Sequence, residues 1–143
     1  MANRREFLKS SCLACLGVAV SSSFLASCGT ALPIFNVEKN GRQLFISLKE
    51  FEAQKTHVMV LRNSILDNDI LLVKHPDGIF EALDLMCTHE GFNLTPTKDK
   101  IYCNQHGSVF DLYGHVLKEP ALKPLKKFPL KQTDTQIIIN LNT

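Results

Sequence analysis

The chain has 143 residues, of which 45% are hydrophobic and 21% are charged. These values fit a single globular domain and exclude a collagen-like or disordered chain. The formal net charge is only +2, and the chain becomes formally neutral when residues 1–27 are removed, which argues against nucleic acid as a partner.

The N-terminus has the layout of an export signal, a basic start followed by a small, apolar and nearly uncharged stretch. Arg4 and Arg5, followed by "EFLK", resemble the twin-arginine type of signal. The segment "LASCG", residues 25–29, is similar to a bacterial lipobox. We therefore predict an export signal peptide over 1–27, a lipidated Cys28, and a membrane-anchored lipoprotein that faces the periplasm or the cell exterior.

Two alternatives for the N-terminal segment stay open. One is an uncleaved membrane anchor, although the unbroken apolar run covers only residues 13–20 before "SSS" interrupts it. A spanning helix needs about 20 predominantly apolar residues, so this segment is marginal as a permanent span. The other alternative is cleavage without lipidation.

After Cys28 the sequence predicts a tether over 28–35 and one folded domain over 36–143. Strand-like segments rich in Val, Ile and Leu cover 42–48, 56–62 and 69–75. A short helix is expected at "SLKEFEA", and "KKFPLKQTDTQIIINL" indicates a hairpin with its turn near 133–135. The pattern favours an all-β fold of many short antiparallel strands.

Glycines and prolines concentrate between residues 87 and 124, where the strand pattern breaks and fixed loops are expected. This region holds two pairs of candidate metal ligands, Cys87 with His89 and Cys103 with His106. In an exported protein the simplest alternative is a disulfide between the two cysteines. A structural zinc site is a second alternative, but such sites usually pair Cys with Cys and His with His. One Cys and one His in each pair fits a [2Fe–2S] cluster better.

The stretches "CTHEGF" and "CNQHGSVF" resemble the two boxes of Rieske iron–sulfur proteins, C-x-H and C-x-x-H-G-S. The following "YGHVLKEPALKPLKKFP" resembles the proline-bearing segment and closing strands of that family. The resemblance implies a Rieske-like antiparallel β-sandwich with a cluster-binding subdomain of two loops at about 84–124. It also implies one [2Fe–2S] cluster per chain, with Cys87 and Cys103 on the inner iron and His89 and His106 on the outer iron.

The resemblance assigns supporting roles to further residues. Ser108 matches a serine that donates a hydrogen bond to the cluster, whereas Phe110 replaces a tyrosine that often donates one in high-potential members. Gly91 and Gly107 would let backbone N–H groups approach the cluster closely. Pro120 belongs to the segment that covers the cluster.

One departure from the family concerns the Rieske subunits of quinol–cytochrome complexes, which commonly carry an extra cysteine in each box, joined as a disulfide. Phe92 and Gln105 occupy those positions here, so this disulfide cannot form. In lacking this disulfide the sequence resembles the ferredoxin-type members that serve oxygenases. The missing disulfide also weakens the case for direct quinol oxidation.

The sequence therefore predicts a one-electron transfer component, with an intermediate potential inside the family range of roughly −150 to +300 mV. Its expected partner is a redox protein or a respiratory complex, with quinol as one candidate donor. The alternatives are the Rieske subunit of a quinol-oxidising or other respiratory oxidoreductase, and a structural zinc domain. His57 and His75 show no comparable spacing and are expected to be structural.

Overall fold

The structure is a computed structural model that describes residues 31–141. The predicted signal peptide and Cys28 lie outside the described residues. The described part contains one short helix and thirteen short strands. The helix is α1 (Leu48–Ala53), and the strands are β1 (Ile34–Asn36), β2 (Lys39–Asn40), β3 (Gln43–Ser47), β4 (Val58–Arg62), β5 (Ile70–Lys74), β6 (Phe80–Asp84), β7 (Thr95–Pro96), β8 (Ile101–Tyr102), β9 (Val109–Phe110), β10 (Val116–Lys118), β11 (Lys127–Phe128), β12 (Leu130–Gln132) and β13 (Gln136–Asn140).

The strands form three sheets. The central sheet has the order β1-β4-β5-β6-β11, one outer sheet has the order β12-β13-β3-β2, and the other has the order β10-β9-β8-β7. The β4-β5, β5-β6 and β6-β11 pairs are antiparallel, while β1 runs parallel to β4. The all-β prediction is therefore confirmed, with one parallel pair that the sequence pattern did not indicate.

The central sheet is buried on both faces because its strands carry apolar side chains at successive positions. In β4, Val58 and Val60 belong to one core, and Met59 and Leu61 belong to the other. Successive side chains of a strand point to opposite faces, so a continuous apolar run supplies both cores. This is why the predicted 56–62 and 69–75 segments became the middle of the fold.

The sheet β12-β13-β3-β2 and α1 cover one face of the central sheet. Ser47 caps the helix, since its hydroxyl accepts a hydrogen bond from the Glu50 amide at 3.4 Å. Phe51, on the inner side of the helix, is 1% exposed and meets the ring of Phe80 edge-on at 5.1 Å. The predicted helix and the predicted C-terminal hairpin are both present.

The sheet β10-β9-β8-β7 covers the other face and lies within the region of about 84–124 where the sequence predicts a cluster-binding subdomain. Its core, shared with the central sheet, includes Phe110 and Leu125 and also both cysteines of the candidate site. The candidate loops therefore pack on the central sheet through one continuous apolar core. No helix within residues 31–141 is long and apolar enough to cross a membrane.

Strand β1 begins at Ile34, inside the segment 28–35 that the sequence suggested as a tether. Ile34 and Phe35 pair with Val60 and Leu61 of β4. The domain boundaries as a whole remain a prediction.

Gly114 lies where the subdomain meets the central sheet. Its φ is +81°, a left-handed conformation, and an added Cβ would lie 3.2 Å from Leu83 Cδ2 and 3.3 Å from Leu125 Cβ. Only glycine fits both the backbone conformation and the space.

We expect Gly114→Ala to destabilise the fold more than Gly78→Ala. Gly78 has a similar φ of +84° but nothing within 4 Å of an added Cβ, so its substitution should cost only about 1 kcal/mol of backbone strain. Gly114→Ala should cost about 1–3 kcal/mol more, because the methyl group also overpacks the core. Urea unfolding of both variants measures the difference, and equal losses would contradict the packing argument.

Candidate functional site

Two loops of the same backbone geometry form the candidate site. In the first, the Cys87 amide donates to the Phe92 carbonyl at 2.8 Å, and the Gly91 amide donates to the Cys87 carbonyl at 2.8 Å. Gly91 has a φ of +74°, which lets the chain turn back. The loop is thus closed at its base by the cysteine itself.

The second loop repeats this pattern. The Cys103 amide donates to the Ser108 carbonyl at 2.9 Å, and the Gly107 amide donates to the Cys103 carbonyl at 3.0 Å. Gly107 also has a positive φ, of +83°. Each loop therefore runs from a cysteine to a glycine four residues later, with one histidine between them. His89 is the second residue after its cysteine and His106 is the third.

The two loops bring the four predicted ligands together, with the sulfurs inside and the imidazoles outside. Cys87 and Cys103 are free thiols, each 2% exposed. The rings of His89 and His106 meet edge-to-face, with centroids 5.1 Å apart, and their side chains are 29% and 43% exposed. Because the thiols are free, the site does not contain the disulfide that the sequence left open.

The electrostatic environment of Cys87 suits a metal-bound thiolate. Burial raises the pKa of the Cys87 thiol, and the backbone amides of His89 and Glu90 oppose this by donating hydrogen bonds to the sulfur. The neighbouring Cys103 thiol raises the pKa of Cys87 further. Two adjacent buried thiols become thiolates most readily when a cation lies beside them. Two such sulfurs and two neighbouring imidazoles therefore fit a [2Fe–2S] cluster with mixed ligands.

The segment after β10 is hydrogen-bonded to both loops. The Ser108 hydroxyl, fully buried, accepts from the Ala121 amide at 3.0 Å, and the Thr88 hydroxyl donates to the Lys123 carbonyl at 2.7 Å. Between them these bonds fix residues 119–125 against the site. This segment contains the predicted Pro120, whose peptide bond with Glu119 is cis. Sequence reasoning found Ser108 and Pro120 but missed Thr88.

Phe110 is fully buried and belongs to the same core as Cys87 and Cys103. Its predicted effect on the cluster stays a prediction. Ser108 already accepts one hydrogen bond, and its own hydrogen is still available for a second partner.

Two exposed residues at the outer edge of the site, Glu90 and Phe92, were not among the predicted site residues. The Glu90 carboxylate lies 3.9 Å from His89 Nε2 and 3.6 Å from His106 Nδ1. The ring of Phe92 packs against that of His106, with centroids 5.8 Å apart. Both residues lie in the first box, where Glu90 stands between His89 and Gly91 and Phe92 follows Gly91. This closeness to a predicted ligand was the only sequence signal for them.

The other histidines lie away from the two loops. His57 Nε2 is 2.8 Å from the Lys98 carbonyl oxygen, and the buried His75 stacks on Tyr113 with ring centroids 4.0 Å apart. His115 Nδ1 is 3.1 Å from Asp111 Oδ2. These contacts join the subdomain to the central sheet or close its turn, in keeping with the structural role expected for His57 and His75.

Comparisons with known proteins identify the fold and the cofactor. Residues 43–129, more than half of the chain, match the family model of the Rieske [2Fe-2S] domain. The cytochrome b6-f complex iron-sulfur subunit of Chlorobaculum tepidum is 29% identical over 77 residues, which are 52% of this chain and 42% of that protein. Iron-sulfur subunit 2 of the cytochrome b6-f complex of Nostoc sp. is 28% identical over 99 residues, 66% of this chain and 56% of that protein. The chain thus spans about half the length of the relatives that it matches.

Solved structures support the same fold. The plasma membrane Rieske protein PetC3 of the cyanobacterium Synechocystis superposes with a TM-score of 0.55 and 24% identity, covering 66% of this chain and 94% of that one. A chain from the complex of reduced oxygenase and oxidised ferredoxin in carbazole 1,9a-dioxygenase gives a TM-score of 0.52 and 19% identity, covering 71% and 95%. With its matching loops, its buried thiols and its outer imidazoles, the chain belongs to the Rieske [2Fe-2S] domain family.

Proposed function

We propose that this chain transfers single electrons through a [2Fe–2S] cluster that is bound by Cys87, Cys103, His89 and His106. The observation that carries the proposal is the arrangement of two buried thiols behind two exposed imidazoles on loops of matching geometry. The bound cluster supplies the ability to accept one electron and to return it. A reduced-state EPR spectrum of the iron-loaded protein tests the proposal, because a zinc domain would be silent.

The cysteines and the histidines have different roles in this function. The buried cysteines keep the inner side of the site away from water, while the exposed histidines offer the shortest route to a partner. The amides of His89 and Glu90 donate to the Cys87 sulfur and so stabilise its negative charge. Residues 119–125 hold both loops in one geometry, so little rearrangement accompanies a change of charge.

The cytochrome b6-f relatives favour a second candidate function, that of a subunit in a quinol-oxidising or other respiratory complex. Phe92 and Gln105 argue against direct quinol oxidation, since they replace the cysteines that such subunits commonly join. A redox titration and co-purification distinguish the two. A potential well above that of menaquinone, together with a bound cytochrome, would favour the subunit. The structural zinc domain that the sequence left open is wrong, because the Rieske family binds a [2Fe–2S] cluster.

The proposed location of the protein rests on its N-terminal sequence. Residues 1–27 act as a twin-arginine export signal and Cys28 carries a lipid anchor, so that the domain over 36–143 faces the periplasm or the cell exterior. The twin arginines at 4 and 5 and the "LASCG" segment support this proposal.

We expect His106→Ala to abolish the EPR signal of the reduced cluster, because it removes one of the four ligands. His57→Ala is the matched control. It removes a contact with the Lys98 carbonyl, at a cost of about 1 kcal/mol of folding stability, but it leaves the site intact. EPR spectra and iron analysis of both variants measure the amount of bound cluster. Equal loss of iron in the two variants would contradict the ligand assignment.

We expect Phe110→Tyr to shift the midpoint potential upward, because Phe110 shares a core with both cysteines and the family resemblance implies that a tyrosine at this position donates a hydrogen bond to a ligand sulfur. Phe51→Tyr adds the same group in the other core, where it should leave the potential unchanged. An EPR-monitored redox titration measures both. An unchanged potential in Phe110→Tyr would show that the missing hydroxyl does not limit the potential.

We expect Cys28→Ser to move the protein from the membrane fraction to the soluble fraction of the producing cells, because the serine oxygen cannot carry the lipid. Cell fractionation with detection of the EPR signal measures the change. Retention of the variant in the membrane would instead support an uncleaved hydrophobic anchor.

A further inference from the structure

The surface between the two exposed histidines carries a negative charge. Glu90 occupies the position between His89 and Gly91, and its carboxylate lies within 4 Å of a ring nitrogen of His89 and of His106. The side chain is 53% exposed, so its charge faces solvent and any approaching protein. We call Glu90, His89 and His106 together the acidic tip.

An aromatic ring and a lysine lie next to the acidic tip. The Phe92 ring, which is 39% exposed, packs against His106 and forms an apolar wall on one side. Lys118 lies beside the second loop, with its Nζ 3.7 Å from the place where a Cβ on Gly107 would be. Glu90 lies within 4 Å of a ring nitrogen of both imidazoles, and Lys118 Nζ lies beside Gly107. The charged group within 4 Å of both exposed imidazoles, through which an electron would leave the protein, is therefore negative.

We propose that Glu90 selects the redox partner, and that the partner presents a lysine or arginine to the acidic tip when it docks. This inference rests on the proposed function and specifies the partner chemistry of the same site. A charge so close to the exit acts on every approaching reagent, and salt weakens its effect because the Debye length falls from about 30 Å at 0.01 M to about 3 Å at 1 M. Attraction of a basic group at this point both orients the partner and raises the rate of productive encounters.

Two oxidants of opposite charge test the proposal in the iron-loaded protein. Tris(phenanthroline)cobalt(III) is a cation and hexacyanoferrate(III) is an anion. In each reaction one electron leaves the reduced protein, reducing cobalt(III) to cobalt(II) or iron(III) to iron(II). A change in the protein's own potential alters both rates in the same direction, whereas a change of surface charge alters them in opposite directions. The ratio of the cation rate to the anion rate therefore isolates the charge.

We expect Glu90→Gln to lower this ratio on the order of tenfold at about 10 mM ionic strength, and Glu90→Lys to lower it further. The difference from wild type should vanish at about 1 M salt. Glu50→Gln is the matched control, because it removes an exposed carboxylate from α1, and it should lower the ratio far less than Glu90→Gln does. Lys118→Gln should raise the ratio, but by less than Glu90→Gln lowers it.

A second readout does not depend on electron transfer. Redox-inert hexaamminechromium(III) and hexacyanochromate(III) speed the relaxation of the reduced EPR signal according to how closely they approach it. In the wild-type protein the chromium cation should speed the relaxation more than the chromium anion does. In Glu90→Gln most of this difference between the two ions should disappear.

Several results would overturn the proposal. They are an unchanged ratio in Glu90→Gln, rates that shift together for both oxidants, and a larger effect from Lys118→Gln than from Glu90→Gln. These outcomes leave the proposed function intact so long as wild type gives its EPR signal and reacts with the oxidants. Absence of the signal from iron-loaded wild type would instead reject the proposed function itself.

Discussion

The site depends on one backbone constraint that occurs twice. In each loop the cysteine amide is hydrogen-bonded to the carbonyl five residues later, and a glycine with positive φ turns the chain within that span. This closure directs the sulfur toward the apolar core, where Cys87 and Cys103 are almost fully buried. The residues between the cysteine and the glycine must then lie outside, and the histidine is among them. Burial of sulfur and exposure of imidazole are therefore consequences of the same loop shape.

The rest of the fold holds the two loops in position. The central sheet is apolar on both faces, and the face that carries Val58 and Leu83 packs against the core that contains both cysteines. Residues 119–125 then connect the loops from the side, through Ser108 to Ala121 and through Thr88 to Lys123. Gly114 allows the subdomain to approach the sheet closely enough for this packing. Binding of the cofactor and stability of the domain thus share the same contacts.

The sequence predicted those features that depend on local pattern. Continuous apolar runs predicted β4 and β5, the Ser47 cap agrees with the expected helix, and the spacing of Cys and His predicted which residues would meet. Features that join distant positions could not be predicted in this way. The Thr88–Lys123 hydrogen bond spans 35 residues, and the approach of Glu90 to His106 depends on how two separate loops face each other. The parallel pairing of β1 with β4 and the stacking of His75 on Tyr113 are likewise set by tertiary packing.

The manner in which the loops are joined has a consequence for when the site can form. Hydrogen bonds from Ser108 and Thr88 link the loops to residues 119–125, and their formation involves no change in the oxidation state of sulfur. A domain joined in this way can reach its final geometry in a thiol-reducing compartment, where a disulfide would be kept open. Reductants and disulfide exchange then leave the spacing of the loops unchanged.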